Sequence, residues 1–263
     1  MSGDNSGKGW AIVTGASSGI GLVFALELAR RGQKVLAVAR RRDRLEALAR
    51  EATERGGHIV PLAADLSTAE GPASVVSRIR SLDAIDLLVN NAGIATSGDF
   101  QQSSLERELG AIRLNVVAVV TLTHAVLSGM LRRRSGAVIN LASVVAFQPF
   151  PHFALYAASK AFVLSFTEAL AEEVKGSGVG ILAVCPGAAI TEMTVFSCNE
   201  SLLGKLPSLT ADEIVRTALR ALEGGRVVKI LGWLNRMLVF QNRFLPRATV
   251  RWIMGKVVKA PSA

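Results

Sequence analysis

Tyrosine and cysteine are scarce in this sequence, which has one tyrosine, Tyr156, and two cysteines among its 263 residues. Cys185 and Cys198 are too few for the disulfide framework of a small secreted protein, so we interpret both as free thiols in a reducing compartment. We interpret Cys185 as a small buried hydrophobe near a strand end rather than as a catalytic thiol. We find neither a signal-peptide pattern nor an uninterrupted apolar run long enough to span a bilayer. These absences predict a cytoplasmic protein.

Acidic residues are absent from Gly224 to the C-terminus, whereas the same stretch holds eight Lys or Arg. These cations account for nearly all of the formal net charge of +9. Apolar residues keep helical spacing on both sides of Pro246, a pattern typical of basic amphipathic helices that lie on an anionic membrane surface. A C-terminal cover over a substrate pocket, or an oligomer contact, would give the same pattern. Nucleic-acid binding is not predicted, because no recognisable reading module accompanies the charge.

Strand-like and helix-like segments alternate along the chain. Short β-branched runs predict seven strands at Trp10–Thr14, Lys34–Ala39, His58–Ala63, Ile85–Asn90, Gly136–Leu141, Val179–Val184 and Arg226–Leu231. Between them, apolar residues recur at helical spacing, for example at Leu22, Leu26 and Ala29. The alternation predicts right-handed βαβ units, and therefore an α/β fold with a doubly wound parallel sheet covered by helices on both faces. The length suits one large domain.

A glycine-rich loop follows the first predicted strand. It reads "TGASSGIG" and places glycines at positions 15, 19 and 21. Glycines let the backbone turn sharply and approach a pyrophosphate, and a helix that begins near Gly19 would point its free N–H groups at that anion. The position between a strand and an amphipathic helix makes a dinucleotide site the better interpretation than an ordinary turn.

The end of the second predicted strand indicates which dinucleotide is bound. Sites that prefer NAD place an Asp or Glu here, but this chain has Ala39 followed by three arginines. A guanidinium matches a 2′-phosphate, so we expect Arg40 to favour NADP(H), whereas Arg42 reads as a solvated helix start. Asp65, after the third strand, is suited to accept a hydrogen bond from the adenine amino group. It is equally suited to cap a helix that starts near Ser67.

Polar and small residues stand where the fourth, fifth and sixth predicted strands end. Asn90–Gly93 follows the fourth strand and leaves room for a flat ring, and Ser143 follows the fifth. The segment with Pro186, Gly187 and Thr191 closes the sixth strand. Because the carboxyl ends of parallel strands share one edge of a sheet, we expect these groups to meet in one crevice.

Tyr156 and Lys160 lie four positions apart and so share one face of a predicted helix. Reduction of a carbonyl needs a hydride, which a nicotinamide supplies, and a proton for the developing alkoxide. A phenol has a pKa near ~10, and the ammonium of Lys160 would lower it while donating to ribose hydroxyls. Ser143 is suited to hold the substrate oxygen, and Asn115 to bend its helix and position a water that connects Lys160 to solvent. Each residue taken alone also has a structural explanation, such as an aromatic beside a snorkelling lysine.

The motifs together resemble those of the short-chain dehydrogenases/reductases, in particular the shorter branch of that family. "TGASSGIG", "NNAG", Asn115, Ser143, "YAASK" and "PGAAIT" occur in the family's order and spacing over about residues 9 to 225. The resemblance implies a seven-stranded Rossmann-type sheet of order 3-2-1-4-5-6-7. It implies that Tyr156 is the acid/base, that Lys160 lowers its pKa and holds the ribose, that Ser143 orients the substrate and that Asn115 maintains a proton relay. It also implies homodimers or homotetramers, whose helices would pack closely through Ala157, Ala158, Ala161 and Ala169.

These inferences define a predicted catalytic domain over residues 1–225 and an extension over 226–263 that holds the last strand and the basic tail. The residues predicted to bind NADP(H) are Gly15, Ser17, Ser18, Gly19, Ile20, Gly21, Arg40, Asp65, Leu66, Asn91, Ala92, Gly93, Tyr156, Lys160, Pro186, Gly187, Ala189 and Thr191. Apolar residues in a predicted lid at about 188–209 favour an apolar or lipid-like carbonyl or alcohol. A 3-oxoacyl thioester or a steroid is an alternative, as is a non-catalytic dinucleotide sensor or scaffold. No metal site is predicted.

Overall fold

The chain folds around a parallel sheet of seven strands in the part that the computed structural model describes, residues 9–187, 208–242 and 244–258. The strands are β1 (Trp10–Thr14), β2 (Lys34–Ala39), β3 (His58–Ala63), β4 (Ile85–Asn90), β5 (Gly136–Leu141), β6 (Val179–Cys185) and β7 (Val228–Ile230). Their order is β3-β2-β1-β4-β5-β6-β7, which confirms the doubly wound arrangement. Five strands keep their predicted bounds. β7 is shorter than predicted because only three of its residues pair with β6.

Helices cover both faces of the sheet, as predicted. They are α1 (Gly19–Arg30), α2 (Arg42–Glu54), α3 (Glu70–Arg80), α4 (Leu105–Ile112), α5 (Ala118–Arg133), α6 (Ala154–Glu173), α7 (Ala211–Glu223), α8 (Trp233–Gln241) and α9 (Arg247–Val257). Side chains of α1, α2 and α7 pack on one face, and side chains of α3, α5 and α6 pack on the other. Parallel strands covered on both sides need apolar residues at successive positions, which explains the continuous run Ala11–Val13 in β1.

A buried polar chain links the central strands to two helices. Asn90 donates to Asn140 over 2.8 Å and to Thr123 over 3.1 Å. Asn140 in turn donates to Thr167 over 2.9 Å. The amide NH2 groups of both residues and the amide oxygen of Asn140 thereby have partners inside the core, where unpaired polar groups would be costly. Asn90 thus connects β4 to β5 through its side chain.

The helical stretch from Leu105 to Arg133 corrects the expectation that no apolar run reaches the length of a bilayer. By length and composition it is long and apolar enough to cross a membrane. In this fold, Leu122, Val126 and Met130 of the stretch are buried against the sheet. A helix at the core of a globular domain meets the same criteria, so the stretch is weak evidence for a membrane span.

The basic extension forms two helices, α8 and α9, separated at Pro246. Val250, Met254 and Val258 on one side of α9 pack against Phe150 and Phe153, near the start of α6. The same cluster buries Ala157, which therefore packs within its own chain and not, as predicted, against another subunit. One face of α9 thus covers the beginning of the helix that carries Tyr156.

Candidate active site

The glycine loop between β1 and α1 has the backbone geometry that its sequence predicts. Gly15 and Gly19 adopt positive φ angles of 67° and 56°, a region that other residues rarely enter. α1 begins at Gly19, so its first N–H groups face the loop. Asn91, at the end of β4, donates from Nδ2 to the carbonyl of Thr14 over 2.9 Å. The side chain of a predicted cofactor residue therefore fixes the loop from the neighbouring strand.

Gly21 stands where the loop, α1 and Asn91 meet. A Cβ at this position would lie 2.3 Å from the Gly15 carbonyl oxygen and 2.4 Å from Asn91 Nδ2. We expect Gly21→Ala to abolish dinucleotide binding and to lower the melting temperature, because backbone cannot move aside and overpacking costs about 1–3 kcal/mol. Fluorescence titration with NADPH and thermal unfolding measure the two effects.

Gly110→Ala is the matched control, because a Cβ at Gly110 would meet nothing within 4 Å. We expect this variant to bind the dinucleotide as wild type does. Equal affinity of Gly21→Ala and wild type would show that the loop is not the site of the pyrophosphate.

The arginine that reaches the glycine loop is Arg41, which the sequence analysis did not select. Arg41 Nη2 donates to Ser18 Oγ over 2.9 Å and to Ser17 Oγ over 3.1 Å. Arg40 is exposed, and its charge acts on Asp65. The motif "ARRR" contained both side chains, but only their directions in the fold distinguish them.

Asp65 holds a turn after β3. Its Oδ1 accepts from the backbone N–H and the hydroxyl of Ser67, over 2.9 and 2.6 Å. Burial opposes ionisation of Asp65, but these hydrogen bonds and the charge of Arg40 outweigh it and lower the pKa. The following helix starts at Glu70, so the expected cap of a helix near Ser67 is wrong. The adjacent Leu66 is buried in the core.

Lys160 is buried beneath the crevice at the carboxyl edge of the sheet. Its Nζ donates to the carbonyl of Leu141, the last residue of β5, over 2.7 Å, and stands 5.9 Å from the centre of the Tyr156 ring. Burial lowers the pKa of Lys160 to about 8, an effect that the nearby Cys185 opposes. The two residues therefore lie together, as their spacing on α6 predicts.

Asn115 lies in a π-helical turn, Arg113–Val117, between α4 and α5. The expected local irregularity of this helix is therefore present. The Asn115 side chain accepts from Ile94 N over 3.0 Å and donates to Ile94 O over 2.9 Å and Ser159 Oγ over 3.1 Å. Ser159 donates to the carbonyl of Tyr156 over 2.7 Å. Ser159, inside the "YAASK" motif, thus couples Asn115 to the helix of Tyr156, a contact that sequence reasoning missed.

Ser143 follows β5 and is buried beside the end of β6. Its Oγ accepts from Val145 N over 3.4 Å and lies 3.5 Å from the Pro186 carbonyl. Beneath it, burial raises the pKa of the Cys185 thiol to about 12, and Glu168 adds to the rise while Lys160 and the Ser143 N–H oppose it. Cys185 is therefore protonated at neutral pH, in agreement with its interpretation as a buried hydrophobe.

Gly187 contacts the tail. A Cβ there would lie 2.3 Å from Asn235 Nδ2 in α8, and Asn235 is held by a 2.8 Å hydrogen bond to Leu231 O. The sequence analysis did not include Asn235, because nothing in its local pattern links it to the sixth strand. Ala189, Thr191 and residues 188–207 of the predicted lid lie outside the described residues, as does Cys198.

Ala92 and Ile20, two further predicted cofactor residues, lie beside the glycine loop. Ala92 N donates to Thr14 Oγ1 over 3.0 Å, and Ile20 packs partly buried on the core.

In the described part of the chain, no group of three or more His, Cys, Asp or Glu side chains is arranged to hold a metal ion.

Two cavities flank the site. One of about 220 Å³ is lined by Thr96, Asp99, Glu108 and His152. A second cavity, of about 780 Å³, lies between the tail and the α6 residues Ala157, Ala158 and Ala161. Arg247 and Arg251 of the tail contribute to its wall. The described residues that line them do not include Ser143, Tyr156 or Lys160, so these cavities adjoin the predicted centre and do not contain it.

The glycine loop and the residues around Lys160 fit a nicotinamide dinucleotide. A Cβ at Gly93 would meet Asn115 Oδ1 at 3.1 Å and Lys160 Nζ at 3.4 Å, so glycine keeps the space beside the ammonium open. An ammonium has three donors, yet within the described ranges Lys160 has one hydrogen-bond acceptor, Leu141 O. Ribose hydroxyls would supply the others, and the glycine loop would receive the pyrophosphate.

Comparisons with known proteins agree with this geometry. The family model described as short chain dehydrogenase matches residues 9–200. The chain is 42% identical over 186 residues to a short chain dehydrogenase from Pseudocercospora fijiensis, an alignment that covers 70% of this chain but only 60% of that protein's length. It is 35% identical over 214 residues to 17-beta-hydroxysteroid dehydrogenase type 3 from Homo sapiens, with 80% of this chain and 67% of that protein covered.

A solved structure resembles nearly the whole chain. A short-chain dehydrogenase from Sphingobium yanoikuyae in complex with NADPH has a TM-score of 0.80 at 34% identity and covers 97% of this chain and 98% of its own. Other relatives carry the names of 3-oxoacyl reductases. The chain therefore belongs to the short-chain dehydrogenase family and is an oxidoreductase with the site for a nicotinamide dinucleotide.

Proposed function

We propose that the protein interconverts a carbonyl and a secondary alcohol with NADP(H), and that Tyr156 is its general acid/base. The observation that carries this proposal is the buried ammonium of Lys160, 5.9 Å from the centre of the Tyr156 ring. We place the reaction in a catalytic domain of residues 1–225 whose lid lies at about 188–209.

When bound, the dinucleotide supplies or accepts the hydride. The chain's own residues manage the proton and the orientation of the substrate. Tyr156 donates its phenolic proton to the developing alkoxide during reduction, and the positive charge of Lys160 lowers the pKa of that phenol. Ser143 orients the substrate oxygen. Asn115 and Ser159 hold the backbone near Tyr156, and the π-turn around Asn115 is the place for a water that returns a proton to Lys160.

NADP(H) is the preferred cofactor in this proposal, because Ala39 stands in place of the acidic residue that binds a 2′-hydroxyl and three arginines follow it. We expect Arg41→Ala to raise the KM for NADPH about tenfold to a hundredfold, with little change for NADH, because a charge-assisted contact to the 2′-phosphate is lost. Arg40→Ala tests the residue that the sequence favours. Arg42→Ala is the control, since Arg42 pairs with Glu46 at 2.8 Å. Equal effects on NADPH and NADH would contradict the preference.

An apolar substrate is favoured by the surroundings of Tyr156. Phe150 and Phe153 are buried in the cluster that Tyr156 contacts, and α9 covers it. The relatives named for steroids and for very-long-chain 3-oxoacyl-CoA support bulky, lipophilic ketones as the substrate class. A steroid or a 3-oxoacyl thioester is therefore a substrate candidate within the same reaction.

We also propose a homodimer or homotetramer. Large hydrophobic side chains are exposed on neighbouring helices. Val117 lies in the π-helical turn, Val120 in α5 and Phe162 in α6. Ala158 and Ala169 are exposed on α6 as well, so two copies of the helix can approach closely there.

The test is an NADPH oxidation assay over bulky aliphatic and aromatic ketones, steroid ketones and 3-oxoacyl thioesters. We expect turnover with at least one of these classes and little with small hydrophilic sugars. If the purified protein binds NADPH but oxidises it with no member of the panel, the proposal fails and a dinucleotide sensor or scaffold takes its place.

A further inference from the structure

The solvent-facing side of α8 and α9 carries a concentration of large apolar side chains. Eight of the fifteen exposed large hydrophobics of the described chain lie between positions 233 and 253. They are Trp233, Met237, Leu238, Phe240, Phe244, Leu245, Trp252 and Ile253, and we name them the tail surface. Trp233 and Phe244 are each 73% exposed, and Trp252 is 66% exposed. Scattered apolar residues need no explanation, but eight of them concentrated in two consecutive helices and the residues between them mark an interaction surface.

The fold of the chain does not use this surface. α8 contributes no fully buried residue, and of its apolar side chains only Leu234 and Val239 are half-buried. The inner side of α9 is the one that packs, through Val250, Met254 and Val258. Trp252 and Ile253 do not belong to that cluster and remain exposed. The tail surface is therefore a second apolar side of the same two helices.

Positive charge lies on the same two helices as the tail surface, and two of the arginines, Arg247 and Arg251, also line the cavity between the tail and α6. Arg236, Arg247, Arg251 and Lys256 are exposed, and no Asp or Glu follows Glu223 in the sequence. Within the described part of the chain, none of these four cations lies in a salt bridge. Their partner must be anionic and must also accept large aromatic and aliphatic groups.

We infer that the tail surface binds an anionic phospholipid bilayer. Trp and Phe side chains enter the boundary between head groups and acyl chains, and nearby arginines and lysines contact anionic head groups. Each such cation strengthens binding about fivefold near an anionic surface. A two-fold contact between two tail surfaces would instead bring eight cations together without a carboxylate from either tail. Nucleic acid would match the charge but would leave the apolar side chains uncovered.

The position of the tail gives the binding a consequence for the proposed reaction. α9 has the bilayer-facing residue Trp252 on one side and Met254, in contact with the cluster around Tyr156, on the other. The site would therefore lie beside the membrane surface, where lipophilic ketones concentrate. This consequence depends on the proposed function, whereas the binding itself does not.

Co-sedimentation of the full chain with phospholipid vesicles tests the binding without any turnover. We expect the protein to sediment with vesicles of phosphatidylcholine and phosphatidylglycerol, to stay in solution with phosphatidylcholine alone, and to be released by high salt. Trp233→Ala with Phe244→Ala, and separately Arg247→Gln with Arg251→Gln, should each weaken partitioning about tenfold or more.

Matched variants outside the tail control for lost area and lost charge. Phe100→Ala with Leu105→Ala, and Arg50→Gln with Arg80→Gln, should sediment as wild type does. NADPH binding by every variant verifies that it is folded. The inference is overturned if wild type stays in solution with anionic vesicles or if the tail variants bind as wild type. It is also overturned if the aromatic tail variant changes the mass in ultracentrifugation but not vesicle binding, which would identify a second copy as the partner.

Discussion

Tyr156→Phe should lower kcat by about a thousandfold or more while NADPH binding is retained, because general acid/base catalysis contributes up to about ten-thousandfold. The substitution removes one hydroxyl and leaves the ring beside Lys160 and the cluster under α9. Stopped-flow measurement of NADPH oxidation with the best ketone of the panel gives the rate, and fluorescence titration gives the affinity.

Ser165→Ala is the matched control for this substitution. Ser165 is exposed on the same helix, so the variant also loses one hydroxyl but lies away from the crevice. We expect wild-type turnover from it. Turnover of Tyr156→Phe within about threefold of wild type would exclude the phenol as the proton donor and with it the proposed mechanism.

Lys160→Met should reduce kcat about a hundredfold or more and also weaken dinucleotide binding. The flexible apolar side chain fits the buried position without leaving an unpaired charge, but it removes the ammonium that lowers the pKa of Tyr156. In the oxidation direction, which needs the phenolate, the pH at which the rate rises should therefore move up in the variant. A variant with reduced affinity but an unchanged pH–rate profile would limit Lys160 to cofactor binding.

The pKa of Lys160 also predicts how cofactor binding depends on pH. In the free protein this pKa is about 8, below the ordinary value of 10.5, and ribose hydroxyls that accept from the ammonium would raise it. Binding therefore takes up a proton, so affinity is constant below pH 8 and falls up to about tenfold per pH unit above it. NADPH titrations from neutral pH to about pH 9.5 should show this fall for wild type but not for Lys160→Met. Parallel profiles for the two proteins would contradict the assignment.

The same lysine affects the stability of the free protein. Below pH 8, Lys160 is protonated in the folded and unfolded states alike, and the cost of burying its charge is fully present. Between pH 8 and 10.5 the unfolded state holds more protons than the folded state, so the contribution of this residue to stability rises with pH.

Much of the site was predictable from local pattern. Strands in an α/β fold are short apolar runs between helices, so their bounds, and the edge at which Ser143 and Asn91 lie, follow from periodicity. The glycine loop and the spacing from Tyr156 to Lys160 are local as well, because backbone freedom and one helical turn determine them. The helix start near Ser67 failed as a prediction because the Asp65 turn delays α3 to Glu70.

Contacts between distant segments were not predictable in this way. The choice of Arg41 over Arg40 at Ser17 and Ser18 depends on the direction in which each side chain leaves the end of β2. The hydrogen bond from Asn115 to Ser159 joins residues of two helical segments that are 44 positions apart in the sequence. Local sequence does not encode such distances, because they depend on how the elements pack.

The tail shows most clearly which features local sequence determines and which depend on packing. By itself, the sequence determined that the extension is basic and that its apolar residues keep helical spacing, since periodicity and charge are properties of each helix alone. Only the tertiary structure decided which side faces inward. Val250 and Met254 meet the cluster around Phe153, whereas Trp233 and Trp252 remain largely exposed. Packing against a surface made by residues a hundred positions away is a property of the whole fold.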